Sequence, residues 1–329
     1  MKILLTGAAG GIGSTLGYYL FQRGHHLTLV DNLRNGYLEN LKIDGNVFGN
    51  FHSIDICDSD ISVKLDNQYD CIIHLAAITA LPDCESNPVS TINVNVGGTM
   101  NILECARKWE VPYVIFASTS AVYEKNKEKV FTEDLEINPR LWYSLSKKMA
   151  EEVCESYRDN YNMKITTLRF FNVFGPRQDI HRKNPPLLNY LVREIKRGNP
   201  PMLHSTGEQA RDYIHVDDVV KLIDLCLEKQ PGEVFNVCTG TLISVNQIVQ
   251  YVSEIFGSDI KPIYREASKL WDTYPELFDG KYPLDKSIVA KETNKYSKGS
   301  YQKAKELLGW EPNTDLEFLF KKVSSEIEL

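Results

Sequence analysis

Gly7-x-x-Gly10-x-x-Gly13 constrains this chain most, because it follows the short apolar run Lys2 to Leu5 and opens a helical pattern through Leu16, Leu20 and Phe21 that stops at Gly24. Glycine admits positive φ and lets a backbone approach a phosphate closely. The N-terminus of the next helix adds free N–H donors and the positive end of its dipole. Three glycines at this spacing also serve a plain tight turn. The following strand, His26 to Val30, ends at Asp31. An acid there accepts hydrogen bonds from ribose hydroxyls and repels a 2′-phosphate, so loop and acid together point to NAD. Asn32 continues the same turn, and Arg34 beyond it is the residue type that accommodates a 2′-phosphate.

Further strands are expected at Phe51 to Ile54, Cys71 to Leu75, Tyr113 to Ala117 and Ile165 to Phe170, separated by helical patterns at 89–109 and 143–161. Strand alternating with helix implies right-handed βαβ units and an α/β fold with a doubly wound parallel sheet. Asp55 and Ile56, after the third strand, are placed to meet an adenine. Past about residue 175 the rhythm changes. Prolines 185, 186, 200 and 201 bracket one helix; then come a helix near 216–229 and a strand at Val234 to Val237. Residues 262–298 are rich in Lys, Tyr and Pro with little periodicity. The expected organisation is a dinucleotide-binding Rossmann domain over 1–175, with 214–240 packing back onto it. Residues 176–213 and 241–329 would form a smaller C-terminal substrate-binding lobe.

With 329 residues, 43% hydrophobic and 25% charged, the chain is long enough for a substantial core and has the balance of an ordinary globular protein. A net charge of −7 speaks against a nucleic-acid footprint. No apolar run approaches the ~20 residues of a membrane helix. Met1 to Thr6 enters a strand directly, with no secretory leader pattern, and the scattered cysteines 57, 71, 84, 105, 154, 226 and 238 form no C-x-x-C pair. Buried thiols and a cytoplasmic location are the expectation. The histidines at 25, 26, 74, 204 and 215 lack ligand spacing, so no metal is expected. The indoles of Trp109, Trp142, Trp271 and Trp310 are expected to pack.

Tyr143-x-x-x-Lys147 places a phenol and an ammonium on one helix face. An ammonium beside a phenol favours the phenolate, so the expected tyrosine pKa falls toward neutrality, as a general base requires. A solvated Tyr–Lys pair has the same spacing. Ser118, Thr119 and Ser120 lie just after the Tyr113 to Ala117 strand, at the carboxyl edge where open α/β sheets bind ligands.

These segments, together with His74-Leu-Ala-Ala77, Asn95-Val-Gly-Gly-Thr99, Phe116 to Tyr123, Leu168 to Gln178, Arg211 to Asp218 and Lys303 to Pro312, run in order along the chain. The sequence resembles an extended short-chain dehydrogenase/reductase of the NAD-dependent nucleotide-sugar epimerase/dehydratase type. The resemblance implies catalytic roles for Thr119, Tyr143 and Lys147, Lys147 also holding the nicotinamide ribose. It implies a cofactor site built from Gly7, Gly10, Gly11, Ile12, Gly13, Asp31, Asn32, Asp55, Ile56, Leu75, Ala76, Ala77, Asn95, Ser118, Tyr143, Lys147 and Phe170. Substrate contacts would come from Thr119, Tyr143, Asn172 and Arg211, the last two near the diphosphate of a UDP-sugar. A guanidinium suits a phosphate on physical grounds too, although a surface pair with Asp212 is the alternative for Arg211. A homodimer through helices 89–109 and 143–161 is implied as well.

In such a family the two residues after the catalytic Thr influence the reaction. Here they are Ser120 and Ala121, and neither can act as an acid in eliminating water. The expected activity is a 4-epimerase. Open alternatives are a C2 or C3/C5 epimerase, a 4-keto reductase, a decarboxylase, a dehydrogenase or a non-catalytic NAD(H) sensor. The chain departs from the family's pattern in several places. Glu124 stands where Gly is usual. Trp142 precedes the catalytic tyrosine, and Ser144 follows it where Gly is frequent. No arginine occurs in Val289 to Thr293, where many relatives grip the diphosphate; Lys291 is the nearest cation. The stretch 265–286 is also unlike a standard UDP-galactose epimerase.

Overall fold

Strand β1 (Lys2–Thr6) alternates its side chains, Ile3 and Leu5 to one side and Leu4 to the other, and all three are fully buried. A strand buried on both faces belongs in the middle of a parallel sheet. The computed structural model, which describes residues 1–327, puts it there. The strands β2 (His26–Asp31), β3 (Asn50–Ser53), β4 (Cys71–His74), β5 (Val114–Thr119) and β6 (Ile165–Phe170) join β1. With β10 (Val234–Val237) they make a seven-stranded sheet in the order β10-β6-β5-β4-β1-β2-β3, and every pairing is parallel. The order reverses between β1 and β4, and a crevice opens at such a switch point.

Two apolar layers cover the sheet. On one face Ile3 and Leu5 pack with Leu16 and Leu20 of α1 (Gly11–Gln22) and with Val219 and Ile223 of α6 (Val216–Lys229). On the other, Leu4, Val30 and Ile72 pack with Ile102 and Leu103 of α3 (Thr99–Lys108) and with Ala150 and Cys154 of α4 (Trp142–Tyr161). The expected single helix over 89–109 is subdivided. Asn93–Gly98 widens into a π-helical turn just before α3. The short helix α2 (Leu81–Ser86) lies upstream of it, beside the first turn of α4.

The C-terminal part builds its own core. Strand β7 (Asn172–Phe174) runs parallel to β9 (Ala210–His215), which pairs antiparallel with β11 (Leu242–Ser244). A parallel pair, β8 (Met202–His204) with β12 (Ile263–Arg265), lies beyond them. Helices α5 (Leu187–Lys196), α7 (Val245–Phe256) and α10 (Leu316–Glu326) close over this core, where Phe174 and Phe320 stack with ring centroids 4.1 Å apart. Helix α8 (Lys286–Thr293) and α9 (Gln302–Leu308) complete the chain's helical elements used below.

The stretch 265–286, without periodicity in sequence, is ordered by packing. Trp271, Tyr274 and Leu277 form a buried cluster with Leu141 and Val289, and the Tyr274 hydroxyl donates to Asp83 Oδ1 at 2.7 Å. Trp271 and Trp310 are buried as expected, whereas Trp142 is 40% exposed. Cys57 is the exposed exception among otherwise buried free thiols. Among the described residues no helix is long and apolar enough to cross a membrane, and no cluster has the ligands to hold a metal ion.

Candidate functional site

A cavity of about 360 Å³ opens at the carboxyl ends of β1, β2, β4 and β5. Its floor is the glycine loop. Gly7 takes φ +69°, and a Cβ there would stand 2.7 Å from the Ala76 nitrogen. A Cβ on Gly13 would stand 2.1 Å from the Gly7 carbonyl oxygen, so the loop folds this tightly only with glycine. Gly11, Ile12 and Gly13 line the cavity in the first turn of α1, where backbone N–H groups have no partner within the helix.

Asp31 closes β2 at the same cavity. Its carboxylate accepts the Ala9 and Leu33 N–H groups at 3.0 and 2.8 Å, which fixes its orientation. Burial nonetheless holds its pKa above the usual carboxylate value. Asn32 donates to Asp55 Oδ2 at 2.9 Å, joining the ends of β2 and β3. Ile56, Leu75, Ala76 and Ala77 line the wall with Asp55 and Phe170. Asn95 does not line it. The residue is fully buried in the π-helical turn, bonding both polar atoms of Ile78 and the Ser146 hydroxyl at 2.8–2.9 Å, so it braces the wall from behind.

At the other end of the cavity stand Ser118, Thr119, Tyr143 and Lys147. Strand β5 extends through Thr119, two residues further than expected, and aims the Thr119 side chain at Tyr143. The Ser118 hydroxyl turns away from the cavity to the Glu151 carboxylate, which also takes the Arg169 guanidinium at 2.7 Å. This buried ion pair under β5 and β6 was not anticipated. Its one trace in the sequence is the spacing of Glu151, four residues after Lys147 on the same helix face.

The expected lowering of the Tyr143 pKa by Lys147 is not what the geometry gives. Lys147 Nζ donates to the Ala117 carbonyl at 2.8 Å and lies 4.8 Å from the centroid of the Phe116 ring. Burial pushes the Tyr143 phenol up to about 12, against the opposing hydrogen bond of Thr119. Burial also brings the Lys147 ammonium down to about 8. His74, behind the sheet edge, is driven down to about 3 by burial and the Lys147 charge. It is a neutral ring held between the Thr6 and Thr99 hydroxyls.

The substrate-side residues lie away from this cavity. Asn172 donates to the Asp212 carbonyl at 2.9 Å, bridging β7 and β9. Arg211 does not pair with Asp212. Its Nη2 donates to the Glu292 carbonyl at 2.6 Å, Nη1 finds no partner, and the Glu292 carboxylate is 3.8 Å away. Asp212 instead accepts the N–H groups of Thr239, Gly240 and Gly299, and burial raises it to about 6 in spite of these donors. Near Arg211 a second cavity of about 190 Å³ is lined by Glu124, Arg140, Lys291, Lys295 and Tyr296. Lys291 thus stands with two further cations that sequence reasoning missed.

The segment after β7 closes over the glycine loop. A Cβ on Gly11 would stand 3.3 Å from the Arg177 carbonyl oxygen. Arg177 donates to the Ser14 carbonyl at 3.2 Å, and the Tyr37 hydroxyl donates to Asp179 at 2.8 Å. Arg182 also lines the first cavity, where burial lowers its pKa.

Known proteins are similar in sequence and fold. Residues 3–238 match the model of the NAD dependent epimerase/dehydratase family. A putative UDP-glucose 4-epimerase of Methanocaldococcus jannaschii is 31% identical over 98% of this chain and 96% of its own length. A UDP-N-acetyl-alpha-D-glucosaminuronate decarboxylase of Bacillus cytotoxicus is 32% identical over 84% and 86%. The crystal structure of UDP-glucose 4-epimerase from Thermotoga maritima with UDP-glucose superposes with a TM-score of 0.86 at 32% identity, covering 99% of this chain and 98% of that one. The glycine cradle, the acid ending β2 and the Thr-Tyr-Lys group at the far end of one cavity fit NAD. With the match over 3–238, they place the chain in the NAD-dependent epimerase/dehydratase family.

Proposed function

We propose that the protein is a nucleotide-sugar 4-epimerase that uses a resident NAD. The observation that carries this reading is that Thr119, Tyr143 and Lys147 share one cavity with the dinucleotide loop and Asp31, while the positions after Thr119 are Ser120 and Ala121. Relatives include decarboxylases and a dTDP-D-glucose 4,6-dehydratase as well as epimerases, and a side chain able to supply acid for eliminating water is missing at 120 and 121, which speaks against the dehydratase reaction.

NAD, when bound, would supply the hydride acceptor and a positive charge. Gly11, Ile12 and Gly13 would hold its pyrophosphate through their N–H groups, and Asp31 would take the adenosine ribose. Tyr143, as the phenolate, accepts the proton of the C4 hydroxyl. Thr119 donates a hydrogen bond to the reacting oxygen and orients it. Lys147 anchors the nicotinamide ribose and keeps Tyr143 and Ala117 in register. Once the sugar ring has turned over, so that C4 presents its other face to the hydride, Tyr143 returns the proton to the same C4 oxygen. Arg211, with Lys291 and Lys295 in place of the usual arginine, is the cationic side facing a diphosphate. A homodimer and a cytoplasmic location belong to the same proposal.

The test is incubation of the purified protein, without added cofactor, with UDP-, GDP-, CDP- and dTDP-sugars, read by proton NMR and mass spectrometry. A new sugar of unchanged mass supports the reading. A product of lower mass, or turnover only after NAD(H) is added, overturns it. Full turnover by Tyr143→Phe would remove the base from the scheme.

A further inference from the structure

Glu124 and Ser144 both depart from the family's usual glycine, and they meet in space. The Ser144 hydroxyl donates to Glu124 Oε2 at 2.5 Å. The same oxygen accepts the Arg140 and Leu141 N–H groups at 2.7 and 2.9 Å. Helix α4 begins at Trp142 after Leu141, a residue with no side chain able to cap it. The third departure, Trp142, sends its N–H to Glu85 of α2 at 2.6 Å. Two carboxylates from separate segments therefore hold the turn that carries Tyr143.

We propose that Glu124, seated by Ser144, is a positioning residue that fixes, from outside the helix, the first turn of α4 and with it the Tyr143 side chain that this turn carries. A glycine at 124 would leave the Arg140 and Leu141 donors without this acceptor and would put no charge near the phenol. The carboxylate's second oxygen, Oε1, is buried without a hydrogen-bond partner.

The groups around the Tyr143 phenol come from four elements. From β5, Thr119 favours the phenolate. From α2, the Cys84 thiol is raised to about 12 by burial and is neutral, and Glu85, raised to about 7 by burial, sits against Glu124. From α4 itself comes Lys147, bonded to Ala117. The loop after β5 supplies Glu124, which opposes the phenolate. The Arg140, Lys291 and Lys295 side chains border Glu124 in the second cavity. Glu124 thus weighs against ionisation, in the direction opposite to a bound dinucleotide's positive charge.

This inference rests on Tyr143 as the base, and its test separates the two. The NAD-loaded protein is titrated by tyrosinate ultraviolet absorbance, with a Tyr143→Phe sample subtracted. The pH dependence of turnover is measured in parallel. Glu124→Gln keeps the shape and removes the charge, so the Tyr143 ionisation and the acid limb of the profile should both move down, in the same direction and together. Glu124→Asp keeps the charge but withdraws it from the first-turn donors. It should lower kcat with little change in KM and leave the ionisation near the wild-type value. Ser144→Ala should not lower the ionisation. If Glu124→Asp keeps the wild-type kcat, or if Asp and Gln shift the phenol equally, the proposal is overturned. A Tyr143→Phe protein with full turnover overturns the base assignment instead, whatever Glu124 does to the titration.

Discussion

Lys147 is joined to Ala117 by a hydrogen bond of 2.8 Å, from a buried ammonium to the carbonyl two residues before Thr119. The bond ties the second turn of α4 to the strand bearing Thr119. It also leaves the ammonium in a costly place, since burial brings its pKa to about 8 from the model-compound 10.5. The unfolded chain keeps this proton up to about 10.5, the folded one only to about 8. Between these values the unfolded state binds more protons, so stability rises with pH. Below about 8 the penalty is fully present. Lys147→Met lacks this gain. The stability of the wild type relative to the variant should rise by roughly 1–3 kcal/mol between about pH 8 and 10, read from urea unfolding of both proteins at each pH.

Asp31→Asn should weaken NAD about 10- to 100-fold and narrow the preference for NAD over NADP. The substitution removes the charge that repels a 2′-phosphate and one of the two acceptors that now take Ala9 and Leu33 N–H groups. Calorimetric titration with both dinucleotides measures the two effects. An unchanged ratio of affinities would show that discrimination lies elsewhere, with Arg34 the nearest candidate.

Gly13→Ala should destabilise the fold by about 1–3 kcal/mol and abolish dinucleotide binding, because its Cβ would fall 2.1 Å from a backbone oxygen that has no freedom to move. Gly24→Ala is the comparison. That glycine has φ +80° but nothing within 4 Å, so the cost is backbone strain of about 1 kcal/mol and binding is kept. Urea midpoints and cofactor titration distinguish the two variants.

Glu151→Gln should cost about 3–5 kcal/mol, since it leaves the Arg169 guanidinium buried without its counter-charge and weakens the Ser118 hydrogen bond. A loss of under about 1 kcal/mol in chemical denaturation would mean that Arg169 finds compensation in the Tyr123 hydroxyl, which it already meets at 2.6 Å.

Period and punctuation made much of the fold legible before any coordinates. Buried parallel strands such as Cys71–His74 read as short apolar runs, and the glycine loop marks where the first one ends. The cofactor end of the cavity was equally legible, because Gly7 to Gly13 and Asp31 act through local backbone geometry. What escaped depends on contacts between segments distant in sequence. The direction of the Lys147 side chain, the exchange of Asp212 for Glu292 as the Arg211 partner, and the burial of Asn95 follow from packing that no spacing encodes. Residues 265–286 lack periodicity because Trp271 and Tyr274 are held by Leu141 and Asp83 rather than by a regular element.

The contacts of Arg177 and Asp179 with Ser14 and Tyr37 place the chain leaving β7 directly across the pyrophosphate end of the crevice. The glycine loop is therefore clamped by a segment 163 residues further along the chain, so its rigidity belongs to the whole fold and not to its own glycines alone.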